Sequence, residues 1–186
     1  MHPSLVRSFV ETSVAELRDR LNHRPDLHVD AVTLAPELPE MFISVDHDEY
    51  ETEVVTAASP LLLPGGQQLR RQQRVPILGR APRKRRLTIH MQLDGFDLVP
   101  PTAELLGSTG EPLPADEWPT SFAGGGIVRD HPIHGRPFFC RRGFREYHSH
   151  PQHEDDPWAR WRDALPLHAV VLELLNDLHV RWHGAA

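Results

Sequence analysis

The sequence is poor in three features: it has one cysteine, one lysine and no long apolar run. Because Cys140 has no second cysteine to pair with, an internal disulfide is excluded. No stretch approaches the roughly 20 apolar residues that cross a bilayer, and no signal peptide follows Met1, so we expect a cytoplasmic protein without a membrane partner. Lys84 is the only lysine among 20 basic residues, which a GC-rich genome explains without a functional cause.

Charge is distributed unevenly along the chain, which has a net charge of -6. Residues 1–69 carry 4 basic and 12 acidic side chains, whereas residues 70–86 carry 8 basic and no acidic ones. Since it has few apolar anchors, the stretch 67–86 predicts an exposed arginine-rich loop or insertion. A solvated loop is the first interpretation of this block, and an acidic protein partner is the second. Nucleic acid is disfavoured because no aromatic residues are interleaved with the arginines.

A chain of 186 residues has room for one domain with a substantial core, and we predict one that spans residues 1–186. Apolar residues recur at helical spacing over residues 4–22, where Ser4 is a candidate N-cap. Apolar alternation predicts strands over residues 27–34 and 87–93, and short pieces separated by prolines predict strands over residues 41–45 and 54–57. A shorter apolar piece covers residues 102–106. Glycine and proline predict a flexible loop over residues 107–130, and helical spacing returns over residues 157–163 and 166–182. The predicted fold class is α+β, with an N-terminal helix, an antiparallel strand meander, a long active-site loop and C-terminal helices.

One segment concentrates the side chains that act as nucleophile, base or metal ligand. These residues are Cys140, Glu146, His148, His150 and His153. In a catalytic interpretation, Cys140 is a nucleophile activated by nearby imidazoles or arginines, because a thiol of ordinary pKa is only a few per cent thiolate at neutral pH. The same cysteine follows Phe138 and Phe139, and an apolar pair in that position is equally typical of an inert, buried cysteine.

A metal-binding interpretation uses the same side chains. Cys140, Glu146 and two of the three histidines supply one sulfur, one oxygen and two nitrogens for a tetrahedral zinc site. In an extended chain, His148 and His150 point the same way, and Glu146 lies on that face. The histidines also fit a hydrogen-bonded surface loop. A metal hydrolase that uses Asp155 or Asp156 is a weaker alternative, since carboxylates just before Trp158 suit the N-terminus of a helix.

The order of several short motifs resembles that of ubiquitin-conjugating enzymes. The motifs are Phe96-Asp-Leu-Val-Pro100-Pro101, His131-Pro-Ile133-His134-Gly135, Phe139-Cys140, and Trp158 followed by an apolar helix. Members of that family carry a Tyr-Pro-x-x-Pro-Pro turn, a His-Pro-Asn motif, a glycine, the catalytic cysteine, a tryptophan and then helices. Ile133 stands where the family has the asparagine that supports the oxyanion. The resemblance therefore requires another donor, such as His134, His148 or a backbone N–H.

A second resemblance concerns Cys140, Glu146, His148 and His150. These residues resemble the predicted metal-binding family named for its Cys, Glu, His and His residues. Members of that family occur in bacterial operons that encode ubiquitin-like proteins, an activating enzyme, a conjugating enzyme and a JAB-type deubiquitinase. Both resemblances imply the same bacterial conjugation pathway, and they differ in the role that they give to the cysteine.

The first resemblance implies an enzyme that carries a ubiquitin-like protein on Cys140 as a thioester and transfers it to a protein target, without a cofactor. The activating enzyme is its other expected partner. The expected acid–base residues are Glu146, His148 and His150, with His131 and His134 upstream. Arginines 129, 136, 141 and 142 are expected to hold the thiolate or the partner. The alternative is a non-catalytic adaptor of the same pathway, in which Cys140, Glu146, His148 and His150 or His153 bind zinc.

Overall fold

The computed structural model describes most of the chain, namely residues 3–35, 39–49, 52–62, 68–77, 79–81, 83–96, 98–118, 126–129 and 134–182. Within these residues the protein has three α-helices: α1 (Pro3–Asn22), α2 (Arg145–His148) and α3 (Leu167–Trp182). The described strands are β1 (Val29–Leu34), β2 (Glu40–Glu49), β3 (Thr52–Leu62), β4 (Gln68–Pro76), β5 (Arg83–Gln92), β6 (Thr102–Leu106), β7 (Gly126–Val128) and β8 (Phe138–Cys140). The α+β class with an N-terminal helix, an antiparallel sheet and C-terminal helices is confirmed.

The predicted N-terminal helix is confirmed as α1. Its buried face consists of Val10, Val14, Leu17 and Leu21, which recur at intervals of three and four residues. The helix begins at Pro3, so Ser4 lies inside its first turn. It ends at Asn22, and Pro25 opens a short 3-10 helix, Pro25–Leu27, that leads into β1.

The central sheet is antiparallel and has the strand order β1-β2-β5-β6. Buried side chains alternate along residues 41–45 of β2 and 87–91 of β5, including Met41 and Ile43 on β2 and Ile89 and Met91 on β5. The register places Met41 opposite Met91 and Ile43 opposite Ile89, so these side chains form one apolar face. They belong to one core cluster with the buried faces of α1 and α3. The alternation predicted for residues 87–93 is therefore confirmed, and the predicted pieces 41–45 and 102–106 are present as part of β2 and as β6.

The prediction of a loop over residues 67–86 is wrong for most of that stretch, whereas its exposure and its origin as an insertion stay predictions. Residues 68–76 form β4, which pairs with β3 in a separate two-stranded hairpin, and residues 83–86 are the first part of β5. The register of β5 sets its basic residues 83–86 opposite the mainly acidic residues 46–49 of β2. Arg86 Nε lies 3.0 Å from Asp46 Oδ1. The start of β5 therefore pairs with a part of β2 that carries mainly opposite charge, and it has no apolar alternation of its own.

The predicted flexible loop over residues 107–130 contains ordered structure where the structure describes it. Leu106 and Pro112 form an isolated β-bridge, and Ala115–Glu117 form a 3-10 helix. Trp118 is buried and donates its indole N–H to the carbonyl oxygen of Leu113, 3.2 Å away. Residues 126–128 form β7, which pairs with β8. Residues 119–125 and 130 lie outside the described residues, and the described flanks are anchored by buried apolar side chains.

The C-terminal apolar helix is confirmed as α3, whose buried residues are Leu167, Val170, Val171, Leu174, Leu175 and Leu178. The preceding helical stretch is shorter than the predicted residues 157–163, because only Trp158–Arg160 form a 3-10 turn. In the described part of the chain, no helix combines the length and the hydropathy needed to cross a membrane.

Candidate functional site

The strand β8 positions Cys140 at the edge of the core. Phe138 and Phe139 are both buried, and Phe139 packs against Trp118 with ring centroids 5.0 Å apart. Cys140 itself is half-buried and has a free thiol. The apolar pair therefore anchors the strand while part of the next residue remains accessible.

The chain then folds back on Cys140 through two short helical turns. Helix α2 covers residues 145–148, and Pro151 opens a 3-10 turn that ends at His153. This reversal brings His153 Nε2 to 4.0 Å from Cys140 Sγ, at the outer limit of a hydrogen bond with sulfur. His153, which the sequence suggested only as a metal ligand, is thus the described imidazole that faces the thiol.

The local environment holds both members of this pair in their neutral forms. Burial raises the pKa of the Cys140 thiol above its ordinary value. Burial lowers the pKa of His153, and the neighbouring His150 adds to this decrease. At neutral pH the pair is therefore a thiol beside a neutral imidazole that is able to accept its proton.

His153 is supported by an aromatic ring that the sequence did not single out. The His153 and Tyr147 rings are stacked, with centroids 3.8 Å apart and planes 13° from parallel. The Tyr147 hydroxyl donates to Asp156 Oδ2 over 2.9 Å. The Tyr147 ring, which is held by its hydroxyl bond to Asp156, therefore fixes the orientation of the His153 imidazole.

Asp156 is the centre of the hydrogen bonds around the thiol–imidazole pair. Besides the Tyr147 bond, its carboxylate accepts one from Trp161 Nε1 at 2.5 Å and one from Arg142 Nε at 2.9 Å. These bonds, the one from Trp161 first, lower the pKa of Asp156 from 3.8 to about 2. The expected helix-capping role is wrong: Pro157 caps the 3-10 turn without a side-chain bond, and the Asp156 carboxylate binds side chains from three directions.

His148 lies between two backbone carbonyl oxygens. Its Nδ1 is 2.7 Å from the carbonyl oxygen of Asp156, and its Nε2 contacts that of Arg142. A neutral imidazole has only one N–H, so both bonds form together only when the ring is doubly protonated. His148 thus joins two parts of the segment, and neither of its nitrogens faces Cys140.

His150 is buried next to the pair but is also engaged with the backbone. Its Nδ1 accepts a hydrogen bond from the backbone N–H of Gln152 at 3.1 Å, which caps the 3-10 turn. The centroid of its ring is 5.5 Å from that of His153. His150 therefore stabilises the 3-10 turn that places His153 next to Cys140.

Glu146 belongs to a separate buried network. Its side chain is about 5% exposed, and Arg136 Nη2 lies 3.0 Å from Oε1. Arg136 also lies 3.8 Å from Glu104, whose carboxylate is 2.8 Å from His90 Nδ1. Burial raises the pKa of Glu146, while the positive charges of Arg136 and Arg145 oppose that increase. The predicted grouping of Glu146 with the histidines is therefore replaced by an ion pair with Arg136.

The side chains of the predicted zinc site do not fit a tetrahedral shell in this arrangement. Among the described residues, no three His, Cys, Asp or Glu side chains converge in a way that would hold a metal ion. The expectation that residues 146–150 are extended is wrong, because residues 145–148 are helical. Both nitrogens of His148 face carbonyl oxygens, and Glu146 faces an arginine. Cys140 Sγ lies 4.0 Å from His153 Nε2, and the four-ligand site stays a prediction for metal analysis.

The flanking arginines each have a partner other than the thiol. Arg141 forms an ion pair with Asp177 of α3, and Arg129 donates to the carbonyl oxygen of Trp118. His134 packs edge-on against Phe138, with ring centroids 4.6 Å apart. His131 and Ile133 lie outside the described residues. The arginines that were expected to hold a thiolate thus form structural contacts with other groups, which agrees with a neutral Cys140 thiol.

Arg145 joins the proline turn to the cysteine segment. Its backbone N–H donates to the carbonyl oxygen of Pro101 over 2.9 Å, and its side chain donates to Pro100 O and Asp94 O, both over 3.2 Å. Two motifs that are about 40 residues apart in the sequence are therefore in direct contact.

A cleft of about 560 Å³ opens beside the thiol. We call it the Cys140 cleft; its walls include Cys140, Val128, Arg141, Arg142, Trp161 and Glu173. Arg142 lies over the Trp161 ring, with 4.2 Å between the guanidinium carbon and the ring centroid. The cleft thus gives a ligand access to Cys140 between an apolar strand wall and a partly charged helical wall.

No protein-family model matches the sequence, and no curated protein matches it significantly. The chemistry that this site offers is that of the Cys140–His153 pair and of the cleft beside it.

Proposed function

We propose that this chain is a ubiquitin-conjugating-like enzyme that accepts the C-terminus of a ubiquitin-like protein on Cys140 and passes it to a protein target. The observation that carries the proposal is the pair of Cys140 Sγ and His153 Nε2, 4.0 Å apart beside an open cleft. The α+β architecture supports it, since the family resemblance implies that architecture.

The first chemical step is a thioester exchange. Cys140 Sγ attacks the carbonyl carbon of the thioester that links the ubiquitin-like protein to its activating enzyme, and His153 accepts the thiol proton. The new carbon–sulfur bond forms as the old one breaks, and the leaving thiolate of the activating enzyme takes up a proton. In the second step an acceptor nucleophile loses a proton, attacks the same carbon and releases Cys140 as a thiol.

The neutral state of the pair suits this chemistry. A thiol that stays protonated until a substrate arrives is protected from oxidation, because oxidants react with the thiolate. A neutral imidazole at its side supplies the base at the moment of attack. The 4.0 Å separation must shorten in the complex, as catalytic hydrogen bonds commonly do when a substrate binds.

A charging assay tests this function. The chain is mixed with the C-terminal thioester of a ubiquitin-like protein, or with such a protein, its activating enzyme and ATP. We expect an adduct that thiol reductants remove and that Cys140→Ala lacks, whereas Cys140→Ser should give an adduct that resists reductant. His153→Gln should slow charging by about 10²-fold or more, the lower range for general base catalysis. An adduct that persists in Cys140→Ala, or no adduct at all, contradicts the proposal.

Metal analysis separates this function from the zinc-binding adaptor. Protein purified without a histidine tag should contain no stoichiometric zinc, and a chelator should leave its thermal unfolding unchanged. About one zinc per chain, lost in Cys140→Ala, would instead favour the adaptor, because a thiolate bound to zinc is not a free nucleophile.

A further inference from the structure

The residue directly opposite Cys140 in the β7–β8 pair is Gly126. Directly opposite residues of an antiparallel pair point to the same face, with their Cβ atoms about 4.5–5.5 Å apart. A Cβ atom at residue 126 would therefore lie beside the Cys140 side chain. Because glycine has no side chain, the space next to the thiol is open to another group.

The guanidinium of Arg141 occupies that space. An ideal Cβ atom built on Gly126 would lie 2.8 Å from Arg141 Nε, 3.3 Å from its Nη2 and 3.4 Å from its Cζ. Gly126 also has a φ of +101°, a conformation that residues with a side chain rarely adopt. Arg141 and Cys140 both line the Cys140 cleft. The guanidinium is therefore placed beside the thiol, on the face that a ligand in the cleft would contact.

Asp177 of α3 holds the guanidinium in this place through an ion pair with Arg141 Nε. The carboxylate offsets the charge of the arginine, which agrees with a Cys140 thiol that is neutral before it reacts. A guanidinium has five N–H donors, so an ion pair at Nε leaves donors on the Nη atoms for a second acceptor. Arg141 therefore offers fixed hydrogen-bond donors beside Cys140 without ionising it.

We propose that Arg141 is a catalytic residue that donates a hydrogen bond to the oxyanion formed when Cys140 attacks a thioester. This inference rests on the thioester chemistry of the proposed function, and it assigns the donor that the sequence lacks at Ile133. As the sulfur–carbon bond forms, the electron pair of the carbonyl double bond moves onto oxygen, and the thiol proton goes to His153. The double bond then forms again, and the bond to the leaving thiolate breaks.

The expected effect of Arg141 is on the chemical step rather than on binding. The charge on the carbonyl oxygen develops only during the reaction, so loss of the donor should lower kcat and leave KM nearly unchanged. Removal of one oxyanion donor lowers kcat by about 10²–10³-fold. Alkylation of Cys140 forms no oxyanion, so its rate should not depend on this donor.

The test compares two reactions of Cys140: acyl exchange with a small thioester, such as that of acetylglycine, and alkylation by iodoacetamide. Arg141→Gln should lower kcat for exchange about 10²-fold or more and leave alkylation close to the wild-type rate. Arg24→Gln is the matched control, because Arg24 also binds α3, through Asn176, but does not line the cleft. Asp177→Asn should slow exchange in the wild-type background and cause no further loss in Arg141→Gln, since it acts through that arginine.

The role of Arg141 and the proposed function can fail separately. If the wild-type chain exchanges with the small thioester but is not charged with a ubiquitin-like protein, the proposed function alone is overturned. If the wild type does not exchange with the small thioester, or if Arg141→Gln exchanges as fast as the wild type, the role of Arg141 is overturned. An equal loss of exchange and alkylation in Arg141→Gln also overturns it, because that result indicates a displaced thiol.

Discussion

Replacing Gly143 with alanine tests how tightly the cysteine segment is seated on α3. Gly143 lies in the turn between Cys140 and α2, and an added Cβ would lie 2.8 Å from both γ-carbons of Val170 and 3.2 Å from its Cβ. Carbon atoms in favourable contact are about 3.5–4.0 Å apart, so the new methyl group overlaps its neighbour by about 1 Å. Val170 is buried, and a helical valine has essentially one χ1 rotamer, so rotation gives little relief.

The structure therefore predicts a definite loss of stability. Overpacking of this kind costs about 1–3 kcal/mol, which for a chain of this size corresponds to a decrease in Tm of about 2–12 °C. Thermal and urea unfolding, followed by circular dichroism and tryptophan fluorescence, measure both quantities. Because the turn must move to accommodate the methyl group, the Cys140 thiol should also react at a different rate with a thiol reagent.

The double variant Gly143→Ala/Val170→Ala is the internal control. Val170→Ala alone leaves a cavity, and the methyl group added at residue 143 fills part of that space. The two free-energy changes should therefore sum to more than the double variant loses, by about 0.5–3 kcal/mol. Additive losses, or a Gly143→Ala variant as stable as the wild type, would refute the close packing of this turn on α3.

Three further predictions concern titratable groups near the thiol. The pKa of Asp156 is about 2 in the folded state, below its ordinary value of 3.8. The ionised carboxylate therefore stabilises the fold above pH 3.8, and this stabilisation is lost as the pH falls toward 2. Asp156→Asn should weaken the pH dependence of stability in acid-unfolding curves. Burial raises the pKa of Glu146, so the contribution of this side chain to the free energy of unfolding should decrease as the pH rises above 4.5. Urea unfolding at several pH values should show this decrease in the wild type and not in Glu146→Gln. Because the pKa of His153 is lowered from 6.5, the midpoint of the pH dependence of charging should lie below pH 6.5, and a midpoint above that value would contradict this.

The sequence predicts most of the fold where burial and periodicity coincide. Strand β6 has the predicted limits, 102–106, where four of five residues are buried, and α3 ends at the predicted Trp182 after apolar residues at helical spacing. The sequence does not predict β4 or the start of β5, because residues 68–76 and 83–86 are mainly polar or basic and have no apolar alternation. Strand β4 pairs with β3, and the start of β5 pairs with residues 46–49 of β2. A local sequence pattern does not show which distant residues pair with a strand.

The sequence predicts the position of Cys140 in the candidate site, whereas the partners of this residue come together only in the folded chain. Cys140 stands out as the single thiol, and the apolar pair before it indicates its position at the edge of the core. The pairing of Cys140 with His153 depends on the reversal that starts at Pro151, so spacing along the chain alone did not select this histidine over His148 or His150. The role of Asp156 depends on contacts with Tyr147, Arg142 and Trp161, which come together only in the folded chain.

The opposed charges of β2 and β5 also bear on how the sheet avoids misalignment. A slip of two residues would keep every apolar side chain on its original face, so hydrophobicity alone does not forbid it. In the native alignment, three of the four pairs between residues 46–49 and 83–86 join an acid to a base. A slip of two residues in one direction leaves one such pair in this set, Asp46 with Lys84. Charge therefore favours the native alignment of β2 with β5 over that misaligned one, and concentrated salt should weaken this preference.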